Sequence, residues 1–324
     1  MTKPDAVAAL KVQKPPLVVP ARVRRLTLAS VKSGIVDGPI RLLIVGVDGV
    51  GKSTFAANAP APIFIGTEDG TDHLSVARFP APDSWQDVLD AVDELTIGEH
   101  EFQTVVLDSL DWAEPLLWAH ICERERVKSI EEVGGGYGKG YGVAIDEWRK
   151  LIAALERMQR AKGVGVITIA HSFIKKFQNP EGNDFDRYTL KLQDKAAGLW
   201  REWSKGVYFA NYETFAVADK AKRVRGVSSG ARLLYTARTA SYDAKDRYGL
   251  PEKLPLSFEE FDRARRVGRP SSAEDLTSEI KRKAHLLGGE AAMLKSVANC
   301  RGEVAKLEIL NNWTNARQLE LEGA

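Results

Sequence analysis

Cysteine is almost missing from this chain. Its 324 residues hold two, Cys122 and Cys300, far apart and without metal-ligand spacing. A disulfide scaffold is therefore excluded, and both thiols are expected to be reduced in a cytoplasmic protein. Long apolar runs are missing as well: none approaches 18 residues, and the N-terminus has no hydrophobic stretch of the kind a secretory signal carries. Neither a membrane partner nor export is expected. Charge of one sign is also lacking, because 46 Lys and Arg stand against 44 Asp and Glu, so the balance of +2 names no partner. There is no internal repeat.

What the chain does have is local bias and a regular alternation. Residues 1–26 carry six basic side chains against one acidic, and residues 219–247 carry eight against three. The N-terminal stretch is rich in Lys, Pro and Val with no helical period, and reads as a basic, largely disordered arm over residues 1–37. Beyond it, strand candidates at 41–45, 62–66, 104–107 and 165–170 alternate with helix candidates at 52–58, 84–95, within 112–131, and at 144–162. That pattern belongs to an α/β core, a mainly parallel sheet covered by helices on both faces. Past residue 206 the segments shorten, and 206–218 and 231–237 are expected as antiparallel additions at one edge. A last helix over Ser257–Arg266 closes a core spanning residues 38–267. After a break at Gly268–Ser272, a capping box at Ser272 and Asp275 opens a small helical tail over 268–324.

Residues 46–53 read Gly-Val-Asp-Gly-Val-Gly-Lys-Ser directly after the apolar run 41–45. This is a complete G-x-x-x-x-G-K-[ST] phosphate loop in its required setting of strand, turn and helix. Gly46, Asp48, Gly49, Val50, Gly51, Lys52, Ser53 and Thr54 are the residues expected around a nucleotide's phosphates. Glycines let successive backbone N–H groups turn toward phosphate oxygens without Cβ clashes, and the helix N-terminus adds positive partial charge. Lys52 is expected to reach the β- and γ-phosphates and Ser53 to hold Mg²⁺, which makes ATP and Mg²⁺ the expected ligands.

Three apolar strands end in polar side chains that suit the rest of such a site. The run 104–107 leads into Asp108, 55 residues past Ser53, where a carboxylate contacts Mg²⁺ through its waters. The run 62–66 leads to Glu68, the first candidate to orient the water attacking the γ-phosphate, with Asp69 its competitor. The run 166–170 leads to His171, a candidate sensor of the γ-phosphate.

Two loops leave the same sheet edge. Gly134–Gly142 interleaves glycine with Tyr137, Lys139 and Tyr141. Ser172–Lys195 interleaves Lys175, Lys176, Arg187 and Lys191 with Phe173, Phe177, Phe185 and Tyr188. Stacking rings and phosphate-seeking cations on long loops are what a single-stranded nucleic acid requires. Arg238, Lys245 and Arg247 follow a late strand, where cations could reach the γ-phosphate of a neighbouring subunit, Lys245 and Arg247 foremost, the alternatives being in-chain salt bridges or nucleic-acid contacts.

Through Gly46–Ser53, Glu68, Val105–Ser109 and Ile167–His171 the chain resembles the RecA-like ATPase core over residues 38–265. In Tyr137–Tyr141 and Asp243–Pro251 it looks like the compact phage-type nucleotide-binding proteins of single-strand annealing and recombination. The resemblance implies a slow, DNA-stimulated ATPase that binds single-stranded DNA and assembles head to tail, as a ring or a filament. It implies host cytoplasm if the chain is phage-encoded, with a single-strand binding protein as a further candidate partner. It also implies that Glu68 activates the water, and that His171 stands where RecA-like proteins often carry Gln. The segments 132–142 and 172–195 become the DNA loops, with Tyr137, Lys139, Tyr141, Lys175, Lys176, Phe177 and Arg187 as contacts. Other uses of the same core stay open: a hexameric helicase or helicase loader, a nucleotide-gated protein-interaction module, or a small-molecule kinase.

Overall fold

The computed structural model describes residues 28–31, 38–218 and 224–267, with isolated positions beyond 267. The arm expected at 1–37 and the tail expected at 268–324, including its capping box, fall almost wholly outside the described residues. The chain divides into two units. Among the described residues, Met1–Gly38 has a 3-10 turn at Leu28–Ser30, and Pro39–Ala324 contains the sheet.

The first half of the sheet alternates as the sequence indicates. Strand β1 (Arg41–Gly46) leads to helix α1 (Lys52–Ala57), and β2 (Pro62–Gly66) and the short β3 (Ala77–Arg78) lead to α2 (Trp85–Ile97). Then come β4 (Thr104–Asp108), α3 (Leu110–Glu125), a 3-10 turn at Ile130–Gly135, and α4 (Lys139–Lys162). The second half runs β5 (Gly165–Phe177), β6 (Phe185–Leu190), α5 (Asp194–Trp203), β7 (Gly206–Ala218), β8 (Val224–Tyr235), β9 (Lys253–Pro255) and α6 (Phe258–Val267). The strands lie in the order β3-β2-β4-β5-β1-β7-β8-β9, and each pair from β3 to β7 is parallel. β8 and β9 are the antiparallel additions. β7, expected among them, instead runs parallel to β1 through Gly206–Ala210 before pairing with β8. Val207, Tyr208, Phe209 and Ala210 are all buried, the continuous apolar run of a strand covered on both faces.

Strand alternation sorts the core into two layers. Leu43, Val45, Ile63, Ile65, Val105 and Leu107 face α2, α3, α4 and α5. Leu42, Ile44, Phe64, Val106, Ile167 and Ile169 face α1 and α6, where Phe55, Phe258 and Phe261 pack together. In the larger layer Trp148 stands edge-on to Trp85 and to Trp200, with ring centroids 5.1 and 5.4 Å apart, tying α2, α4 and α5 together.

Two expected loops are more ordered than their composition indicates. β5 does not stop at residue 170 but continues to Phe177 and returns as β6, so most of 172–195 is a two-stranded ribbon. Its burial falls from complete over residues 165–170 to exposed over 173–176. The segment 134–142 is cut short by α4, which takes in Lys139 and Tyr141. Gly140 shows why glycine is dense here: a Cβ would lie 1.9 Å from the Ile130 carbonyl oxygen, so this glycine permits close packing rather than mobility.

Both ends of the ribbon are held by one face of α3. Asp111 accepts from the backbone N–H of His171 at 3.0 Å, and Glu114, one turn later, accepts from the backbone N–H of Gln193 at 3.1 Å. Burial pushes the Glu114 carboxyl up to about 7.

Replacing Trp148 with Ala removes the ring that joins three helices. The substitution should cost about 3–5 kcal/mol of unfolding free energy in urea titrations.

Candidate functional site

The site forms where β1 gives way to α1. Gly46 passes so close to β7 that a Cβ would fall 2.3 Å from the Ala210 carbonyl oxygen. Gly51 caps α1 at φ 106°, a left-handed conformation that glycine adopts without strain. Between them the loop bends over a cavity of about 330 Å³, lined on this side by Gly49, Gly51, Lys52, Ser53 and Thr54. Lys52 is 5% exposed, and its ammonium donates to the carbonyls of Gly46 and Val47 at 3.2 and 3.0 Å. Burial lowers its pKa, opposed by the attraction of Asp48, Asp108, Asp111 and Glu68.

The opposite wall is acidic and ordered by short hydrogen bonds. Ser53 Oγ donates to Asp108 Oδ2 at 2.6 Å, joining the loop to the end of β4. Burial raises the Asp108 pKa, and the Ser53 hydrogen bond partly offsets it. The backbone N–H groups of Thr67 and Glu68 both donate to the Asp108 carbonyl, at 2.8 and 3.3 Å, and Thr67 Oγ1 donates to the Ser109 carbonyl at 2.6 Å. These bonds set Glu68 at the cavity, where its Oε2 accepts from Ser109 Oγ at 3.3 Å. Asp69 is exposed and is not among the lining residues.

His171 closes the wall from β5. Its Nδ1 lies 2.9 Å from Asp111 Oδ2 and 3.8 Å from Glu68 Oε2, and its Nε2 lies 3.6 Å from Asp48 Oδ1. The Asp111 hydrogen bond raises the His171 pKa. Burial alone would raise Asp111, but the hydrogen bonds from the His171 ring and backbone overcome it and hold Asp111 low.

Ser53 and Asp108 are hard oxygen donors at one point of the loop. That set fits Mg²⁺, which keeps several waters and takes few protein ligands beside phosphate oxygens. Among the described residues no cluster of three or more His, Cys, Asp or Glu is arranged to hold a metal by itself.

Several expected contacts are placed elsewhere. Lys245 is not a cation free to reach a neighbouring subunit, because its ammonium donates to the carbonyls of Arg201, Glu202 and Ser204, satisfying the C-terminal end of α5. Arg187 is 6% exposed, paired to Asp243 and lying over the Phe177 ring, so it is taken up in the ribbon's own packing rather than left free for a DNA contact. Phe177 itself packs on Phe185. Tyr141 packs edge-on against Trp118 from within α4, which removes it as a free stacking ring. The Lys139 ammonium turns back onto the Gly134 carbonyl at 3.1 Å. Tyr137 is fully exposed, as are the side chains of Lys175, Lys176 and Arg247 in large part. Lys175 makes a surface pair with Asp194.

Sequence reasoning missed Asp111, Ser109, His73 and Arg232. An Asp in a helix's first turn reads as an ordinary capping charge, and Asp111 differs only in what β5 places beside it. His73 and Arg232 line the cavity, and Arg232 comes from β8, a strand with no local motif to flag it.

The Asp111–His171 pair predicts a pH effect with a defined sign. A raised imidazole pKa means the pair stabilises the fold fully below about 6.5 and loses that contribution as pH rises through the raised value. His171 should titrate above the ordinary imidazole range in NMR spectra, and Asp111→Asn should bring it back down.

A family model described as an AAA domain matches residues 38–248. The SPbeta prophage-derived uncharacterized protein YorG of Bacillus subtilis is 24% identical over 137 residues, covering 40% of each chain. The chain thus matches well under two thirds of that relative's length. Among solved structures, the RadB recombinase is similar at 15% identity, with 61% of this chain and 80% of that one covered and a TM-score of 0.36. The flagellar accessory protein FlaH of Methanocaldococcus jannaschii is similar at 14% identity, covering 64% and 88%, with a TM-score of 0.30. With the matched region spanning β1 to the segment past β8, and so the whole phosphate loop and its acidic wall, the chain belongs to the AAA domain family of P-loop ATPases.

Proposed function

We propose that this ATPase binds single-stranded DNA and acts in annealing or homologous recombination, with ATP at its phosphate loop and a head-to-tail homo-oligomer as the working form. The observation that carries this reading is the continuity of β5, whose buried half ends at His171 in the cavity wall and whose exposed half presents Phe173, Ile174, Lys175 and Lys176. An exposed ring followed by two cations suits a stacked base and a phosphate backbone. Tyr137, on the turn ahead of α4, offers a second stacking surface. That a prophage-derived protein is among the relatives agrees with a phage setting.

In the catalytic step, Lys52 and the loop amides hold the β- and γ-phosphates while Glu68 orients the attacking water. Ser53 and Asp108 would hold Mg²⁺, which would supply positive charge beside the phosphates. Arg247 remains the candidate to reach a neighbour's γ-phosphate.

Glu68→Gln should leave nucleotide affinity intact and slow turnover about 10²-fold. Asp69→Asn should change neither affinity nor turnover, and the reverse pattern would move the base to Asp69.

ATP turnover should rise with saturating single-stranded DNA, and Lys52→Ala should abolish it. Removing Lys175 and Lys176 together should weaken DNA binding and flatten its salt dependence. Turnover indifferent to DNA would point instead to a nucleotide-gated interaction module.

A further inference from the structure

β1 sits in the middle of the cavity's architecture, with β5 and β4 on one side and β7 and β8 on the other. The carboxylates lining the cavity, Glu68 and Asp108, come from the ends of β2 and β4. From the β8 side comes a single charged lining residue, Arg232.

The placement of Arg232 is specific. Its Nη1 lies 3.0 Å from the point a Cβ would occupy on Gly51, the residue that caps α1. Two backbone features hold it there. Arg232 is in register with Tyr212 of β7, whose hydroxyl donates to the Gly49 carbonyl at 3.3 Å. Its own carbonyl accepts from the Leu256 N–H at 2.9 Å. Yet the guanidinium is exposed, and among the described residues no carboxylate or carbonyl is paired with it. Arg187, Arg201 and Arg238 are by contrast paired to Asp243.

We infer that Arg232 is a same-chain positioning cation for the nucleotide, binding its α- and β-phosphates from the side opposite the acidic wall. The direction follows from the geometry. Glu68, Asp108 and His171 mark the end of the cavity where the γ-phosphate and its water belong, and Arg232 lies across the loop from them. A guanidinium offers several donors in a fixed plane and suits two phosphate oxygens at once. This contact rests on the nucleotide site described above and supplies a cation that assembly does not have to provide.

Because ADP and ATP share the α- and β-phosphates, the contact is tested by comparing the two. Fluorescent ADP and a non-hydrolysable fluorescent ATP analogue should each bind about tenfold more weakly to Arg232→Ala, by the same factor. The kcat at saturating ATP should fall far less than the KM rises. Arg232→Lys should recover part of the lost affinity, and matched thermal melts check that both variants are folded. Unchanged affinity for both nucleotides overturns the contact. A loss confined to the ATP analogue, with a matching fall in kcat, overturns its assignment to the α- and β-phosphates. Failure of the unaltered chain to bind either nucleotide overturns the site itself, a result distinguishable from failure of Arg232 alone.

Discussion

Holding a charged ammonium at 5% exposure costs solvation, and at Lys52 the surroundings return it in two forms. The carbonyls of Gly46 and Val47 accept its hydrogens, and Asp48, Glu68, Asp108 and Asp111 surround it with negative charge. Those carboxylates repel one another, so they need fixing as well. Ser53 binds Asp108, Ser109 binds Glu68, and His171 binds Asp111. One buried cation thus draws the ends of β2, β4 and β5 into a single hydrogen-bonded set. The same set would resist a polyphosphate unless positive groups outweighed it. Loop amides, Lys52 itself and Arg232 supply that counterweight.

The sheet turns this local balance into a longer connection. A two-stranded ribbon is marginal in isolation, and β5–β6 gains its rigidity at the base. Arg187 pairs with Asp243 and the Tyr188 N–H donates to the Ser241 carbonyl at 2.8 Å, while Phe177 packs on Phe185 beside the connecting turn. Asp111 and Glu114 hold the two ends of the ribbon from adjacent turns of α3, and α3 starts directly after Asp108 and Ser109. The Asp108 strand end and both anchors thus lie on one continuous segment of chain.

The parallel core was legible because each strand and helix carried a period its neighbours supported. The loop at 46–53 was legible because its chemistry leaves few alternatives. Other positions depended on partners distant in sequence. Lys245 and Arg187 look like free cations in a basic stretch, and become structural only once α5 ends against one and Asp243 meets the other. Glycine density at 134–140 reads as mobility, yet Gly140 is fixed by the approach of Ile130. The continuation of β5 past residue 170 was hidden by the very charges that made the segment look like a loop. Arg232 lay beyond reach for the plainest reason: its side chain is ordinary, and only the register of β8 beside β7 brings it to Gly51.

Where a cation comes from decides what controls the reaction. One carried by β8 travels with the loop it serves, so its contribution does not depend on protein concentration. One carried by a neighbour is present only in the assembled form and makes the step it assists concentration-dependent. In this chain the capture of Lys245 by α5 reduces the cations available for the second role, while Arg232 fills the first. Nucleotide binding, served by contacts to the α- and β-phosphates, is then a property of the single chain. Under the proposed head-to-tail assembly, hydrolysis, which needs charge at the γ end, is the step to which a neighbouring subunit would add.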